Sequence, residues 1–360
     1  CAVHVNHGLS DNADQWQGHA EAFCGSLGVK LHCETVAVSA GSEAAAREAR
    51  YSVFERLLDK GGLVLLGHHA DDQVETVLYR LLRGSGVKGL SGIPATRSIA
   101  KGQLIRPLLA WQKSALRTYA DQHKLSWIED ESNGENTFDR NYLRNQVIPE
   151  IAARWPDHTQ RIGHSARLSQ ETAELLAALA EEDLQRLDPV LERGGWSLCL
   201  IAFAALPVAR QKNILRQWPG VHELPQLGHK IIDEIMSTLV LAREDASPKV
   251  QCQGMQWARF RNRLYLLRLE APFNADNSKL IWQLEQPMLL PDGSRLVAEK
   301  ALGQGLCLKP NQSLRVGTRQ GGERCQPAGR QHSNSLKKLL QEFNLEPWWR
   351  DRIPLLYRGE

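Results

Sequence analysis

His68, Asp72 and Glu75 are spaced i, i+4, i+7, directly after the apolar run Leu63–Gly67. On a helix beginning near His68 they share one face. An imidazole and two carboxylates converging there can hold Mg²⁺ with a nucleotide phosphate. They can equally bind a cationic amine, or work as general acid and base. The plainer reading is that Asp71, Asp72 and Glu75 only favour the positive end of the helix. Open α/β sheets bind ligands where strands end and helices start, which favours the chemical reading. Val74, Val77, Leu78, Leu81 and Leu82 form the apolar stripe of the helix, and Arg83-Gly84-Ser85-Gly86 ends it as a glycine-rich loop.

A second constellation lies in EDESNGENTFDRNYLRNQ, residues 129–146. Arg140 and Arg144 are i, i+4 on a predicted helix, two guanidinium forks suited to phosphate or a developing anion. The alternative is a solvated helix with Asp139 and Glu150 as salt partners. The last fifty residues are basic, ten positive against five negative from Lys309 onward. Trp348, Trp349 and Tyr357 are interleaved with those charges, as in surfaces that contact phosphates and stack on bases. Gly321-Gly322 adds backbone donors, and Lys337-Lys338 a charge cluster. A small ordinary core around Trp348 and Leu339-Leu340 is the competing reading.

The elements that must position these residues alternate. Ala2–Val5 reads as a strand, Asp11–Leu27 as a helix, Val29–Val38 as a strand, and Glu43–Lys60 as a helix capped by Ser42. Leu63–Leu66 is a buried-looking strand, Leu104–Leu109 a strand or edge, and Trp111–His123 a helix. Strands alternating with helices predict a parallel, doubly wound α/β sheet. Pro149 and Pro156 bracket a boundary. Beyond it, His158–Leu187, Leu200–Trp218 and Gly228–Arg243 read as a small all-helical module, in which His158, His164 and His229 are expected on the surface or in the core. Short strands and turns follow, with a linker at 274–278. The expected domains are 1–150, 151–245, a linker with short strands at 246–308, and 309–360, the last a small α+β domain.

Composition sets outer limits. With 360 residues and 42% hydrophobic content the chain can bury cores in two or three domains. No apolar run approaches a membrane span. Seven scattered cysteines contain no CxxC pair, so neither a zinc ribbon nor a dithiol motif is supported, and a reducing, cytoplasmic setting is expected. A net charge of +3 confines nucleic-acid affinity to local patches.

Taken together, the motifs resemble those of the tRNA(Ile)-lysidine synthetases. The matching segments are HVNHGLS at 4–10, EAAAREARYSVF at 43–54, GHHADDQVETVLYRLLRGSGVKGLSG at 67–92, RPLL at 106–109, WIEDESN at 127–133, DRNYLRNQVIP at 139–149 and GGERCQPAGRQHSNSLKKLLQEFNLEPWWRDRIPLLY at 321–357. They run in order over nearly the whole chain. The HADDQxET and RGSG pieces also echo other N-type ATP pyrophosphatases, the PP-loop superfamily. The resemblance implies adenylation of C2 of the wobble cytidine in a tRNA(Ile) with a CAU anticodon, using ATP and Mg²⁺. The ε-amine of L-lysine then attacks and AMP leaves. It implies that Asp72 and Glu75 organise Mg²⁺–ATP or receive the lysine ammonium beside His68, and that Arg140 and Arg144 meet the phosphate or the adenylated base. Val5, His7, His68 and the Arg83, Gly84, Ser85, Gly86 loop are the implied ATP contacts. Arg319, Arg324, Lys337, Lys338, Trp348, Arg350 and Arg352 are the implied tRNA contacts. Family members are often dimeric, so a homodimer is expected.

One departure stands out: the superfamily's Ser-Gly-Gly-x-Asp-Ser phosphate loop occurs nowhere in residues 1–360. The expectation is a fragment whose phosphate loop and first strand precede Cys1, which ends one strand short, and which is inactive alone. Two rivals remain: a PP-loop tRNA thiolase, disfavoured by the missing CxxC, and a non-catalytic tRNA-binding remnant, which would have no reason to keep His68, Asp72 and Glu75 together.

Overall fold

The computed structural model describes every residue except 9, 11, 38–42, 137, 244–245, 270–279, 292, 303–304, 308–311 and 359–360. Asp11, the Ser42 cap, the 274–278 linker and Lys309 therefore lie outside the described residues. The chain divides into two compact units, Cys1–Leu175 and Leu176–Glu360.

In the first unit strands and helices alternate as expected: β1 (Ala2–Asn6), α1 (Ala13–Ser26), β2 (Leu31–Thr35), α2 (Glu43–Leu57), β3 (Leu63–Leu65), α3 (Ala70–Leu82) and α4 (Val87–Leu90). β4 (Thr96–Ile99), β5 (Gly102–Ile105) and α5 (Lys113–Gln122) follow. β1 pairs parallel with β2, and β3 parallel with β5, while β4 runs antiparallel to β5. The β4–β5 hairpin replaces the single edge strand expected at 104–109. One core joins these parts: Tyr51, Phe54, Ile99 and Leu104 pack with Val3, Val5, Val64 and Leu66. The burial expected for the third strand holds on one face only. Period-two alternation sends Leu63 and Leu65 outward, 58% and 64% exposed.

The DRNYLRN segment is one helical run in three pieces: α6 (Asp139–Tyr142), a π-helical turn (Leu143–Val147) and α7 (Ile148–Arg154). Single π turns inside α-helices recur at functional sites. α8 (His158–Leu187) follows, rich in the strong helix formers Ala, Leu and Glu, and the boundary between the units falls within it.

In the second unit the expected helices are present as α9 (Leu200–Ala204), α10 (Val208–Val221) and α11 (His229–Ile235), preceded by β6 (Val190–Glu192) and β7 (Gly195–Cys199). β8 (Lys249–Cys252), β9 (Met255–Phe260) and β10 (Arg263–Arg268) complete an antiparallel sheet of order β6-β7-β10-β9-β8. The module is thus not all-helical. Residues 249–268, expected in a linker with short strands, form three of its five strands, with β10 at the centre and β8 at the edge. Both faces of this sheet are buried, which explains the continuous apolar character of β9 and β10. One face packs Trp257 and Leu264 against Phe203, Ile214, Trp218 and Leu239 of the helices. The other carries Ala258, Tyr265 and Leu267, against which Trp348 packs.

β11 (Leu280–Gln283), β12 (Met288–Leu289), β13 (Arg295–Leu296), β14 (Ser313–Gly317), β15 (Arg324–Cys325), β16 (Asn334–Ser335), α12 (Leu336–Glu342) and β17 (Leu355–Tyr357) form the C-terminal part. Its sheet has order β11-β14-β17 over a core of Trp282, Leu290 and Val316. Among the described residues no helix is long and apolar enough to cross a membrane.

Candidate functional site

The first turn of α3 is fixed by its own acids. Asp72 accepts the His69 backbone N–H at 2.9 Å, a side-chain cap of the kind that satisfies orphan donors. Asp71 accepts the Lys113 N–H at 2.7 Å, and the Ala70 N–H donates to the Trp111 carbonyl at 2.8 Å. Both bonds dock α5 on the start of α3. His69 lies 3.5 Å from Asp71 and 3.6 Å from Asp72. Its contact with Asp71 raises its proton affinity, against the opposing effect of burial.

Glu75 is 3% exposed and accepts from two arginines. Arg144 donates bidentately, Nε at 2.6 Å and Nη2 at 2.8 Å, and Arg140 donates Nε at 3.3 Å. Arg144 also reaches the Asn133 side chain at 2.8 Å. The asparagines of the same motif hold the preceding loop, Asn141 on the Glu135 carbonyl at 3.0 Å and Asn145 on that of Asn133 at 2.8 Å. The alternation of Arg and Asn in DRNYLRN therefore has a division of labour: guanidiniums toward Glu75, amides toward the loop.

These groups line a cavity of about 310 Å³ with His69, Asp71, Glu75, Lys113, Asn133, Arg144, His158 and Thr159 on its wall. His158, expected on the surface or in the core, is brought here at the start of α8, its Nδ1 3.1 Å from the Trp155 carbonyl and its Nε2 3.2 Å from the Thr159 hydroxyl. Asn133 lies in the quoted segments 127–133 and 129–146 but carried no role there, and Lys113 carried no signal in the sequence, because both arrive through contacts between distant segments.

His68 precedes the helix rather than sharing its face, since α3 begins at Ala70. Burial lowers its pKa from 6.5 to about 4, opposed by Asp72 and reinforced by Arg106, Arg47 and Arg50. Burial, then Arg50, also lowers His7. The two imidazoles thus sit among guanidiniums. Arg97 and Arg47 lie over the Tyr51 ring, 4.6 and 5.1 Å from its centroid, and Arg106, 3% exposed, bonds the Pro94 carbonyl at 2.6 Å. The Nε of Arg106 and the Nδ1 atoms of His7 and His68 are buried without a hydrogen-bond partner. Neighbouring guanidiniums, of which Arg106 is buried with an unused Nε donor and Arg47 and Arg97 reach solvent, are a setting for a polyanion. Arg47 and Arg50 stood in the sequence, but their convergence with Arg97 and Arg106 did not.

The neutral His68 has a stability consequence. Its folded pKa is below its unfolded value, so the unfolded state takes up the proton first. Stability should fall as the pH drops from about 6.5 to about 4. Melting temperatures of wild type and His68→Gln over that range should converge toward acid, and parallel curves would refute this.

Several expectations need correction. Asp72 and Glu75 do not fit Mg²⁺. Both Glu75 oxygens take guanidinium N–H bonds and Asp72 caps the helix, whereas magnesium demands near-octahedral oxygen ligation. Among the described residues no group of three or more His, Cys, Asp or Glu could hold a metal. The Arg83–Gly86 loop does not join the cavity. It closes the far end of the 13-residue α3, about 18 Å from Ala70 at 1.5 Å per residue, and Arg83 folds back on the Tyr79 hydroxyl at 2.9 Å. The Val5 side chain belongs to the core.

Among the C-terminal expectations, Trp348 is packed edge-on against Tyr265 and Phe260, with centroids at 4.9 and 6.2 Å, so its ring is not open for base stacking. Trp349 meets Arg193 and Arg352, 5.5 and 5.3 Å away. It also lies against Gly194, where a Cβ would come within 2.9 Å of the ring and φ is +80°. Arg350 donates to the Leu345 carbonyl at 3.0 Å, Arg324 to that of Ser333 at 2.8 Å, and Arg319 to Asp351 at 3.0 Å. The Gln320 and Gly321 N–H groups are taken by Glu323. Lys337 and Lys338 stand exposed on α12.

Three family models match the chain: a PP-loop domain over residues 1–151, the TilS substrate binding domain over 198–265 and the TilS substrate C-terminal domain over 314–360. The chain is 40% identical to the tRNA(Ile)-lysidine synthase of Coxiella burnetii over 367 aligned positions, covering all of this chain and 80% of that one. It belongs to the tRNA(Ile)-lysidine synthase family. The corresponding protein of Serratia proteamaculans is also 40% identical, with 99% of this chain and 81% of that one covered. Among solved structures, the U34-tRNA thiolase NcsA from Methanococcus maripaludis with its [4Fe-4S] cluster is similar at 16% identity and a TM-score of 0.39, over 47% of this chain and 61% of that one. As a member of this family the chain is a ligase with an ATP-using PP-loop domain.

Proposed function

We propose that this chain serves the ATP-dependent joining of L-lysine to C2 of the wobble cytidine in the CAU anticodon of tRNA(Ile), through an adenylated cytidine. The observation that carries this reading is the buried Glu75 holding Arg140 and Arg144 at a cavity that also presents Asp71 and Lys113. Adenylation of C2, with loss of pyrophosphate, and the later displacement of AMP by an amine both pass through anionic phosphate esters. Guanidiniums held in place before the reaction stabilise that charge without reorganising. Glu75 is then a positioning residue, and the two arginines meet the activated base. The cluster of Arg47, Arg50, Arg106, His7 and His68 receives the polyphosphate. Asp72 and Asp71 supply the negative charge that attracts the lysine ammonium. ATP supplies the activating adenylyl group, and AMP leaves when the C2–N bond forms.

Incubating the enzyme that carries this sequence with ATP, L-lysine and a CAU tRNA(Ile) transcript should yield lysidine by nucleoside mass spectrometry, with AMP and pyrophosphate in step. ATP consumption without lysine on the tRNA would overturn the reading.

The exposed lysines and the packed tryptophan predict opposite phenotypes. Lys337→Ala with Lys338→Ala should weaken tRNA binding and lower the slope of log K against log salt by roughly 1 for each phosphate no longer neutralised, at an unchanged melting temperature. Trp348→Ala should instead destabilise the second unit by about 2–3 kcal/mol, because it empties a packed aromatic site. A salt slope moved only by Trp348→Ala would reverse the assignment.

A further inference from the structure

A second concavity of about 480 Å³ runs along the DRNYLRN helix, lined by Tyr142, Gln146, Val147, Glu150, Ile151 and Trp155. Resting on the tRNA reading above, we propose that it seats unpaired bases of the anticodon loop that flank the cytidine being modified.

Tyr142 and Trp155 are each 52% exposed. They stand at opposite ends of the groove, roughly 20 Å apart at 1.5 Å per helical residue. Val147 and Ile151 form an apolar floor between them. Aromatic faces separated in this way offer a stacking surface to more than one base, and single-stranded RNA is recognised mainly by stacking on such rings. The polar members suit base edges rather than backbone. Gln146 can both donate and accept, and the Glu150 carboxylate accepts from exocyclic amino groups while repelling phosphate.

Continuity with the candidate site gives the occupant its identity. Arg144 and Ile148 line the first cavity, while Gln146, Val147 and Ile151 of the same run line the groove. The two are flanks of one rigid element, so a strand whose reacting base enters the cavity carries its neighbours onto the groove. Phosphate contacts fix position but carry no sequence; this groove would read the loop.

The test compares a CAU anticodon stem-loop RNA with a blunt duplex of the same stem, by fluorescence anisotropy, for wild type, Tyr142→Ala, Trp155→Ala and Trp155→Phe. Each alanine variant should bind the stem-loop about tenfold or more weakly with duplex binding unchanged, and Trp155→Phe should stay close to wild type. Light scattering should give one oligomeric state for all four. Unchanged stem-loop affinity, or equal loss on both RNAs, overturns the groove assignment alone. So does a changed oligomeric state with intact RNA affinity, which makes the groove an interface between copies. A wild-type protein that binds neither RNA overturns the tRNA reading with it.

Discussion

Glu75→Gln should lower kcat/KM for tRNA modification by at least about 100-fold. The substitution keeps the side chain's shape but removes the charge and turns one acceptor into an NH₂ donor. Arg144, which bonds both oxygens at 2.6 and 2.8 Å, then faces a donor whichever way the amide turns, and Arg140 loses its charged partner. Hydrogen bonds to charged groups contribute about 1.5–3 kcal/mol, and breaking a buried ion pair costs about 3–5 kcal/mol. Arg140 and Arg144 keep 27% and 30% of their side-chain surface in water, so the lower end applies. About 3 kcal/mol of forfeited positioning corresponds to roughly two orders of magnitude in rate. Asp72→Asn provides the contrast. It removes the charge but keeps an amide oxygen that can still accept the His69 N–H, so it should leave the melting temperature nearly unchanged and raise the KM for lysine more than it lowers kcat. Steady-state kinetics of both variants beside their thermal melts decide the matter, and wild-type turnover by Glu75→Gln would remove it from the site.

The second large effect is expected at the cation cluster. Arg47→Ala with Arg50→Ala should weaken ATP binding about 100-fold, since it removes two charge-assisted hydrogen bonds at about 1.5 kcal/mol each. AMP, with fewer charges, should be affected less. The same variant has a spectroscopic signature. Burial is the main cause that holds the His68 pKa at about 4, and Arg106, Arg47 and Arg50 add to it, so removing the last two should let it rise part of the way toward 6.5. An NMR titration reads that shift independently of catalysis. Unaltered ATP affinity together with a raised His68 pKa would show the cluster to be structural.

Local pattern revealed much of this molecule and long-range contact little. The strand–helix alternation of the first unit and the span His158–Leu187 were legible because apolar periodicity and helix propensity act over a few residues. The same pattern singled out His68, Asp72 and Glu75, although His68 precedes α3, Asp72 caps it and, of the three, Glu75 lines the cavity. That Glu75 faces arginines 65 and 69 residues further on was not, because periodicity says which face is buried and not against what. The same limit hid Lys113 and His158. It also hid the pairing of β7 with β10, two short strands more than sixty residues apart in the chain. At Trp348 the composition pointed the wrong way. A tryptophan among arginines reads equally as a stacking platform or as a core anchor, and only the apolar face of the sheet decides between them.

The π-helical turn at Leu143–Val147 gives the site a strict dependence on how its helix is wound. A π turn accommodates one residue more than an α turn would. Were the same residues wound instead as a regular α-helix, every side chain named here would still be present. Yet the part upstream of the turn would rotate by one residue's step, about 100°, against the part downstream. Arg140 and Tyr142 would swing away while Ile148, Ile151 and Trp155 kept their places, separating the cavity's guanidinium pair and the groove's two rings in one stroke. The motif's winding is therefore as much a part of the site as its residues: a change that regularises the turn acts as a mutation of chemistry, even where each residue is conservatively kept.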